Sequence, residues 1–300
     1  MPVPAVGWLD RTAAHRANAR ATRRDAFHDP LGEEIARRML ERLEYVKLAP
    51  RRIVDVGGDA AIISARYPDA TAYSVGAPRA GPGDEPRHEP RSETRIGWRS
   101  RLRRILAPRS PSTLVADMGK LPLRSGSCDL VWSNLALARS DDPGAILHEW
   151  GRVMAVEGLL MFSSLGPDTL KEMRAAFADD PQPHVHPFVD MHDLGDLLVA
   201  AGFADPVMDM EVITFTYARF EELIADLRAS GQVNSRTDRR RGLTGRRVWD
   251  RARRAYADSA RDGLVPASFE VVYGHAWKPK RRVAADGARI IKFDRTPLAR

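Results

Sequence analysis

Three hundred residues, 43% hydrophobic and 7% aromatic, can bury a full and mainly aliphatic core, either as one large domain or as a domain with an appendage. The 47 basic and 40 acidic side chains leave a net charge of +7, and seven arginines fall between Arg87 and Arg104 and nine between Arg236 and Arg254. The single cysteine, Cys128, rules out an internal disulfide and a cysteine-rich zinc site, and no apolar run approaches the roughly 20 residues of a membrane span.

Residues 1–34 form a polar, Arg/Ala-rich N-terminal arm, helical in part and read as a flap. It lacks the apolar core of a secretory signal. A helix is expected from Pro30 to Leu48, where Ile35, Met39, Leu40, Leu43 and Val46 make one apolar stripe ended by Pro50. Ile53, Val54 and Val56 form a short strand closing on Gly57-Gly58. A helix carrying Ile62, Ile63, Ala65 and Arg66 follows, then a β-prone run from Ala70 to Val75. Strand, glycine turn, helix and strand in that order open a nucleotide-binding α/β domain.

Residues 79–111 read as an exposed Gly/Pro/Arg/Glu loop followed by a basic amphipathic helix, with Trp98, Leu102, Ile105 and Leu106 on one face. A strand is expected at Leu114–Asp117, a turn at Arg124–Ser127 and a buried strand from Asp129 to Leu135. A helix is expected from Ala145 to Met154, stopped by Glu157-Gly158, and a strand from Leu159 to Ser163. That alternation predicts a parallel, doubly wound sheet. Beyond it come a helix at Pro167–Phe177, a His/Pro loop at 182–189 and a helix from Asp193 to Ala201 capped by Asp190 or His192. Then follow a strand at Val207–Tyr217, a helix marked by Phe220, Leu223, Ile224 and Leu227, a helix from Arg246 and a strand at Ser268–Trp277. A basic tail closes the chain after Lys278.

Four constellations can carry chemistry. At the glycine turn after the first strand, backbone N–H groups and a helix N-terminus can approach a cofactor closely. Asp117 and Met118, with Ser133-Asn134-Leu135 after the next strand, lie at the carboxyl edge of the sheet, where open α/β sheets bind ligands. Asp117 can accept hydrogen bonds from an adenine amino group, and Met118 can pack on the ring. His184, His186, His192 and His275 form a histidine-rich set. Its His-x-His spacing invites a metal, but no carboxylate ligand pattern accompanies it, and no metal is expected. The arginines at 236–254 and 87–104 suit an acidic partner. Nucleic acid is disfavoured because no aromatic–basic interleaving accompanies them.

The segments ARRMLERLEYVKLAPRRIVDVGG, ADMGKLPLRSGSCDLVWSNLAL, GLLMFSSLGPDTLKEMRAAF, HVHPFVDMHDLGDLLVAAGFADPVMDMEVITFTY and FEVVYGHAW extend over most of residues 35–277. Together they resemble the class I S-adenosylmethionine-dependent methyltransferases, and most the biotin-pathway malonyl-acyl-carrier-protein O-methyltransferase family. A methyltransferase-like family of respiratory complex I assembly factors is also similar.

The resemblance implies an α/β, Rossmann-like, doubly wound and mostly parallel sheet, with helices on both faces and an antiparallel C-terminal strand. It places a methyltransferase-like domain at 35–277, with a basic insertion at 79–111, lid and C-terminal elements at 166–265 and a tail at 278–300. It implies cofactor contacts at Asp55, Gly57, Gly58, Asp117, Met118 and Asn134, and methylation of the free carboxylate of malonyl-acyl-carrier protein; the single thiol fits a reducing cytoplasm, the expected location. Arg152, His186, Tyr273 and His275 are candidates to pin that carboxylate. The acidic carrier protein would meet the basic patches, and a homo- or hetero-oligomer stays open.

Three positions depart from the family pattern. Asp59 and Ala61 stand where glycines are usual, and Gly76 or Ala77 stands where an acid usually holds the ribose hydroxyls. Asp59 sets a carboxylate against the cofactor's own, a repulsion of roughly 1–3 kcal/mol. The second reading is therefore a catalytically silent homologue with weakened or lost cofactor binding that works as a binding or assembly partner.

Overall fold

In a computed structural model, residues 7–22, 29–57, 60–76 and 112–280 are described. The expected helix at 96–106, the patch at 87–104, the tail beyond 280, and Gly58, Asp59 and Ala77 lie outside them.

Seven strands among these residues form one sheet in the order β3-β2-β1-β4-β5-β7-β6. They are β1 (Arg52–Val56), β2 (Thr71–Val75), β3 (Ser112–Leu114), β4 (Cys128–Ser133), β5 (Met154–Leu165), β6 (Ala204–Tyr217) and β7 (Val265–Trp277). Pairing is parallel from β3 through β5, and β7 lies antiparallel between β5 and β6. This is the expected mostly parallel, doubly wound sheet. The central strands are apolar on both faces because helices cover both.

On one face lie α2 (Pro30–Leu43), α3 (Ala60–Arg66), α5 (Lys171–Ala176), α7 (Phe220–Ala229) and α8 (Arg246–Ala257); on the other lie α4 (Pro143–Val153) and α6 (Met191–Ala200). The N-terminal arm contains α1 (Arg11–Thr22). Helix α2 begins where Asp29 Oδ1 accepts from the Gly32 N–H at 3.0 Å, with Pro30 in its first turn. Ile35, Met39 and Leu43 recur at i, i+4 and i+8 and are fully buried. Arg42 on the outer side reaches Asp209 of β6 at 2.6 Å.

Several boundaries differ from the sequence expectation. Helix α2 ends at Leu43, not Leu48. Strand β3 stops at Leu114, and Asp117 sits in a tight turn bridged to Lys120. No break separates α4 from the next strand: Met154 is at once the C-cap of the helix and the first residue of β5, and Glu157 takes a φ of 65° within that strand. Helix α5 begins only at Lys171, because Leu170 adopts a left-handed φ of 54°. Asp190, not His192, caps α6, accepting from the His192 N–H at 2.8 Å.

Gly274 is the β7 partner of Phe162 on β5. A Cβ there would run into the Phe162 ring and come within 3.0 Å of the Met208 sulfur. Gly274→Ala is expected to cost about 1–3 kcal/mol by overpacking, read as a lower denaturant midpoint at unchanged slope.

Candidate active site

The carboxyl ends of β1, β2 and β4 open into a cavity of about 620 Å³, lined by Val56, Gly57, Val75, Gly76, residues 116–120, Asn134 and residues 139–142. Gly57 and Gly76 end their strands with φ of 137° and 152°, conformations a side chain resists. A Cβ on Gly57 would stand 2.8 Å from the Asn134 carbonyl oxygen. Close approach of the β1 turn to the end of β4 thus requires glycine there. Asp55, on β1, is fully buried and accepts from the Ser74 hydroxyl at 3.0 Å, joining β1 to β2 just below the cavity.

The turn at 117–120 forms the cavity's other flank. Asp117 Oδ1 accepts from the Gly119 N–H at 2.8 Å, and its Oδ2 faces Arg11 at 3.8 Å. Met118 turns its side chain toward the core and its carbonyl to the indole N–H of Trp150 at 3.1 Å. Asn134 lines the cavity, but its amide is directed inward. Nδ2 donates to the Gly32 carbonyl at 2.8 Å, and Oδ1 accepts from the Ser163 hydroxyl at 2.8 Å. A ligand there meets the Asn134 backbone rather than a freely swinging amide.

Beside it lies a second, apolar cavity of about 280 Å³, walled by Leu135, Leu170, Met173, Phe177, Ile224 and Trp249, with His184 and His186 at its margin. Leu135 and Leu170 both adopt left-handed backbone conformations, φ 59° and 54°. The strain of two bulky residues is concentrated on one cavity wall. It is held by the SSLGPDTLKEMR segment. The Asp168 N–H donates to Glu270 at 2.6 Å, and the Leu170 N–H to the Ser268 carbonyl at 2.6 Å. Arg174 donates to the carbonyls of Pro167, Thr169 and His186. Burial lowers the pKa of this guanidinium.

The N-terminal arm spans both cavities, and Leu9 and Ala14 wall each of them. Gly7 N–H donates to Asp141 at 3.0 Å, Leu9 bridges to Arg236, and Asp10 pairs with Arg239 at 3.0 Å. The Ala13 N–H and the Arg239 guanidinium hold the Asp10 carboxyl below the usual carboxylate range.

Of the four carboxylate-pinning candidates, only His186 reaches a cavity. On α4, the Arg152 guanidinium pairs with Glu149 and donates to the carbonyls of Leu121 and Leu123, bracing that loop from outside. Tyr273 lies under the Arg42 guanidinium, 3.8 Å from its ring centroid, on the face covered by α2. Burial raises its pKa, as does neighbouring Glu211. His275 pairs with Met161 and Val207 in mid-sheet, and burial lowers its pKa. The histidines do not converge either. His184 stacks on Phe177 and pairs with Asp180 at 3.0 Å, whereas exposed His192 pairs with its own cap residue, Asp190.

His186 Nε2 accepts from the Ser235 N–H at 2.9 Å. Burial, with Arg236 and Arg139 nearby, pulls its pKa down from 6.5 to about 4. It is therefore a neutral acceptor at neutral pH, not a cation for a carboxylate. In the folded protein this group binds its proton later than in the unfolded chain as pH falls. Its contribution is complete above pH 6.5 and is lost as pH falls from 6.5 toward 4, by at most about 1.4 kcal/mol per pH unit. The acid-side fall in denaturant midpoint over that window is expected to be shallower in His186→Gln.

Sequence reasoning missed Arg139, which lines both cavities from a 3-10 turn at Leu137–Arg139. The available signal was its place a few residues after the Ser133-Asn134 edge.

Residues 98–162 match a family described as a methyltransferase domain. The chain is 46% identical over 272 residues to the malonyl-[acyl-carrier protein] O-methyltransferase of Laribacter hongkongensis, covering 88% of this chain and 89% of that protein. It is 43% identical over 293 residues to the protein of the same name from Gallionella capsiferriformans, covering 95% and 96%. Among solved structures, the YcgJ protein from Bacillus subtilis shares the fold with a TM-score of 0.51 at 10% identity, covering 81% of this chain and 98% of that one. With its class I methyltransferase fold, the chain belongs to the malonyl-acyl-carrier-protein O-methyltransferase family.

Proposed function

We propose that the chain methylates the free carboxylate of malonyl-acyl-carrier protein, with S-adenosylmethionine as methyl donor, as a biotin-pathway enzyme. The observation that carries this reading is the pair of adjoining cavities, one at the ligand-binding edge of the sheet and one apolar, sharing the walls Leu9, Ala14 and Arg139.

The residues present fit the cofactor in outline. About 620 Å³ is ample for a nucleoside-sized ligand, and the bare backbones of Gly57 and Gly76 allow close approach. Asp117 supplies an acceptor beside the apolar Ala116 and Ile146. The usual ribose-binding acid is missing from the end of β2, where Gly76 stands with nothing within 4 Å of a would-be Cβ.

The bound cofactor supplies an electrophilic methyl group. A malonyl carboxylate is already ionised near neutrality, so no general base is required, and proximity and alignment carry the rate. Phe177, Met173, Ile224 and Trp249 would exclude water around the acyl arm.

An acidic carrier protein suits the basic segment, where the arginines at 236–241 lie in the loop before α8 and five more lie on the helix; in the loop, Arg241 shares Asp10 with Arg239. Arg236, Arg239 and Arg240 are paired with Asp238, Asp10 and Asp180. Arg246, Arg247, Arg251, Arg253 and Arg254 on α8 are exposed beside Trp249 at the apolar cavity, and the ion pairs of Arg246, Arg251 and Arg253 with Asp250, Asp179 and Glu221 lie at the surface. These five are the proposed docking charges. No helix among the described residues is long and apolar enough to cross a membrane. Buried Cys128, its pKa pushed up to about 12, is an inert thiol and suits the proposed cytoplasmic setting.

Incubation with malonyl-acyl-carrier protein and S-adenosylmethionine, read by mass spectrometry of the carrier, should give the methyl ester. No ester from a protein that binds S-adenosylhomocysteine overturns the substrate. No binding of S-adenosylhomocysteine at millimolar concentration overturns the enzyme reading in favour of the silent partner.

A further inference from the structure

A methyl transfer to a carboxylate needs the nucleophilic oxygen held in line with the methyl group, where the acyl and cofactor cavities meet. Among the described residues, three line both cavities: Leu9, Ala14 and Arg139. Two are apolar and belong to the arm. The third is a cation on the body of the domain. Its backbone is fixed: the Arg139 N–H donates to the Ala136 carbonyl at 3.1 Å, and the 3-10 turn follows left-handed Leu135, which redirects the chain leaving β4. The side chain is half-buried. Arg228, the other arginine of the apolar cavity, is exposed and does not line the cofactor cavity.

We infer that Arg139 seats the free carboxylate of the acyl substrate at the junction of the two cavities, and that this ion pair selects a malonyl thioester over acyl groups with no terminal charge. The inference rests on the methyl transfer proposed above. A carboxylate entering an apolar cavity loses hydration, and a guanidinium fork offsets that loss with charge-assisted bonds of fixed geometry. One oxygen is oriented by the guanidinium. The new O–CH3 bond forms as the C–S bond of the sulfonium breaks, the electron pair goes to sulfur, and no proton moves. An acetyl group occupies the same cavity without engaging Arg139.

Two measurements on Arg139→Gln and Arg139→Lys test this: binding of malonyl- against acetyl-acyl-carrier protein to the S-adenosylhomocysteine-loaded protein, and kcat and KM for malonyl-acyl-carrier protein. Wild type should prefer malonyl by tenfold or more, and Arg139→Gln should erase that preference. Its kcat/KM should fall about a hundredfold. Lysine should restore part of the preference. A retained preference in Arg139→Gln overturns the inference, as does a kcat/KM close to wild type. If Arg139→Gln fails to fold by circular dichroism, the lysine variant decides: wild-type preference and wild-type KM and kcat refute the role of the guanidinium. The two readings fail differently. A wild type that prefers malonyl but yields no ester refutes the methyl transfer alone, whereas a wild type with turnover but no preference refutes the role of Arg139 alone.

Discussion

Gly57→Ala is expected to lose about 2–4 kcal/mol of stability and at least tenfold in affinity for S-adenosylhomocysteine. Two costs add at this position. A φ of 137° is strained for any side chain, and the new Cβ would lie 2.8 Å from a backbone oxygen, that of Asn134, which has no rotamer with which to retreat. Either the turn after β1 or the end of β4 must move, and both line the cavity proposed for the cofactor. Gly126→Ala separates the two costs. Its φ of 69° is also left-handed, but nothing lies within 4 Å of its Cβ, so about 1 kcal/mol is expected and binding should be unchanged. Denaturant titration reads the stabilities and calorimetry the affinities. Wild-type values for Gly57→Ala in both would show that the turn is not part of the cradle.

The largest effect on stability is expected at Trp150. The ring is fully buried on α4, between the sheet and α6, and its N–H holds the Met118 carbonyl at 3.1 Å. Trp150→Ala should cost about 3–5 kcal/mol through the cavity it leaves, lowering the melting temperature by roughly 10 °C. Trp150→Phe keeps most of the packing but deprives the Met118 carbonyl of its donor, at about 1–2 kcal/mol. The turn at 117–120 lines the cavity proposed for the cofactor, so affinity for S-adenosylhomocysteine should fall in Trp150→Phe by more than its stability alone explains. Equal affinity in wild type and Trp150→Phe would show that the turn keeps its place without the indole.

Local pattern revealed much of this architecture. The apolar stripe of α2, the β1–glycine–α3–β2 unit and the buried strand before Ser133-Asn134 are each written in neighbouring residues, and the structure keeps them within a few positions. The cavity at the carboxyl edge of β1, β2 and β4 was legible for the same reason. Arg152, Tyr273 and His275 show what was not. Which edge of a sheet a residue reaches depends on strand order and direction. Strand β7, the last in sequence, inserts antiparallel between β5 and β6, and His275 consequently lies level with Met161 and away from the ligand edge. No periodicity within β7 encodes that insertion. Arg139 was hidden differently. It sits in a single 3-10 turn, too short for a pattern, and becomes notable only when two cavities are seen to meet beside it.

The N-terminal arm joins the two cavities mechanically. Leu9 and Ala14 are common walls of both, and the contacts that clasp the arm, the Leu9–Arg236 bridge and the Asp10–Arg239 ion pair, belong to the loop beside the apolar cavity. A ligand filling either cavity would press on the same short segment, so a change that loosens the clasp disturbs both cavities together rather than one alone.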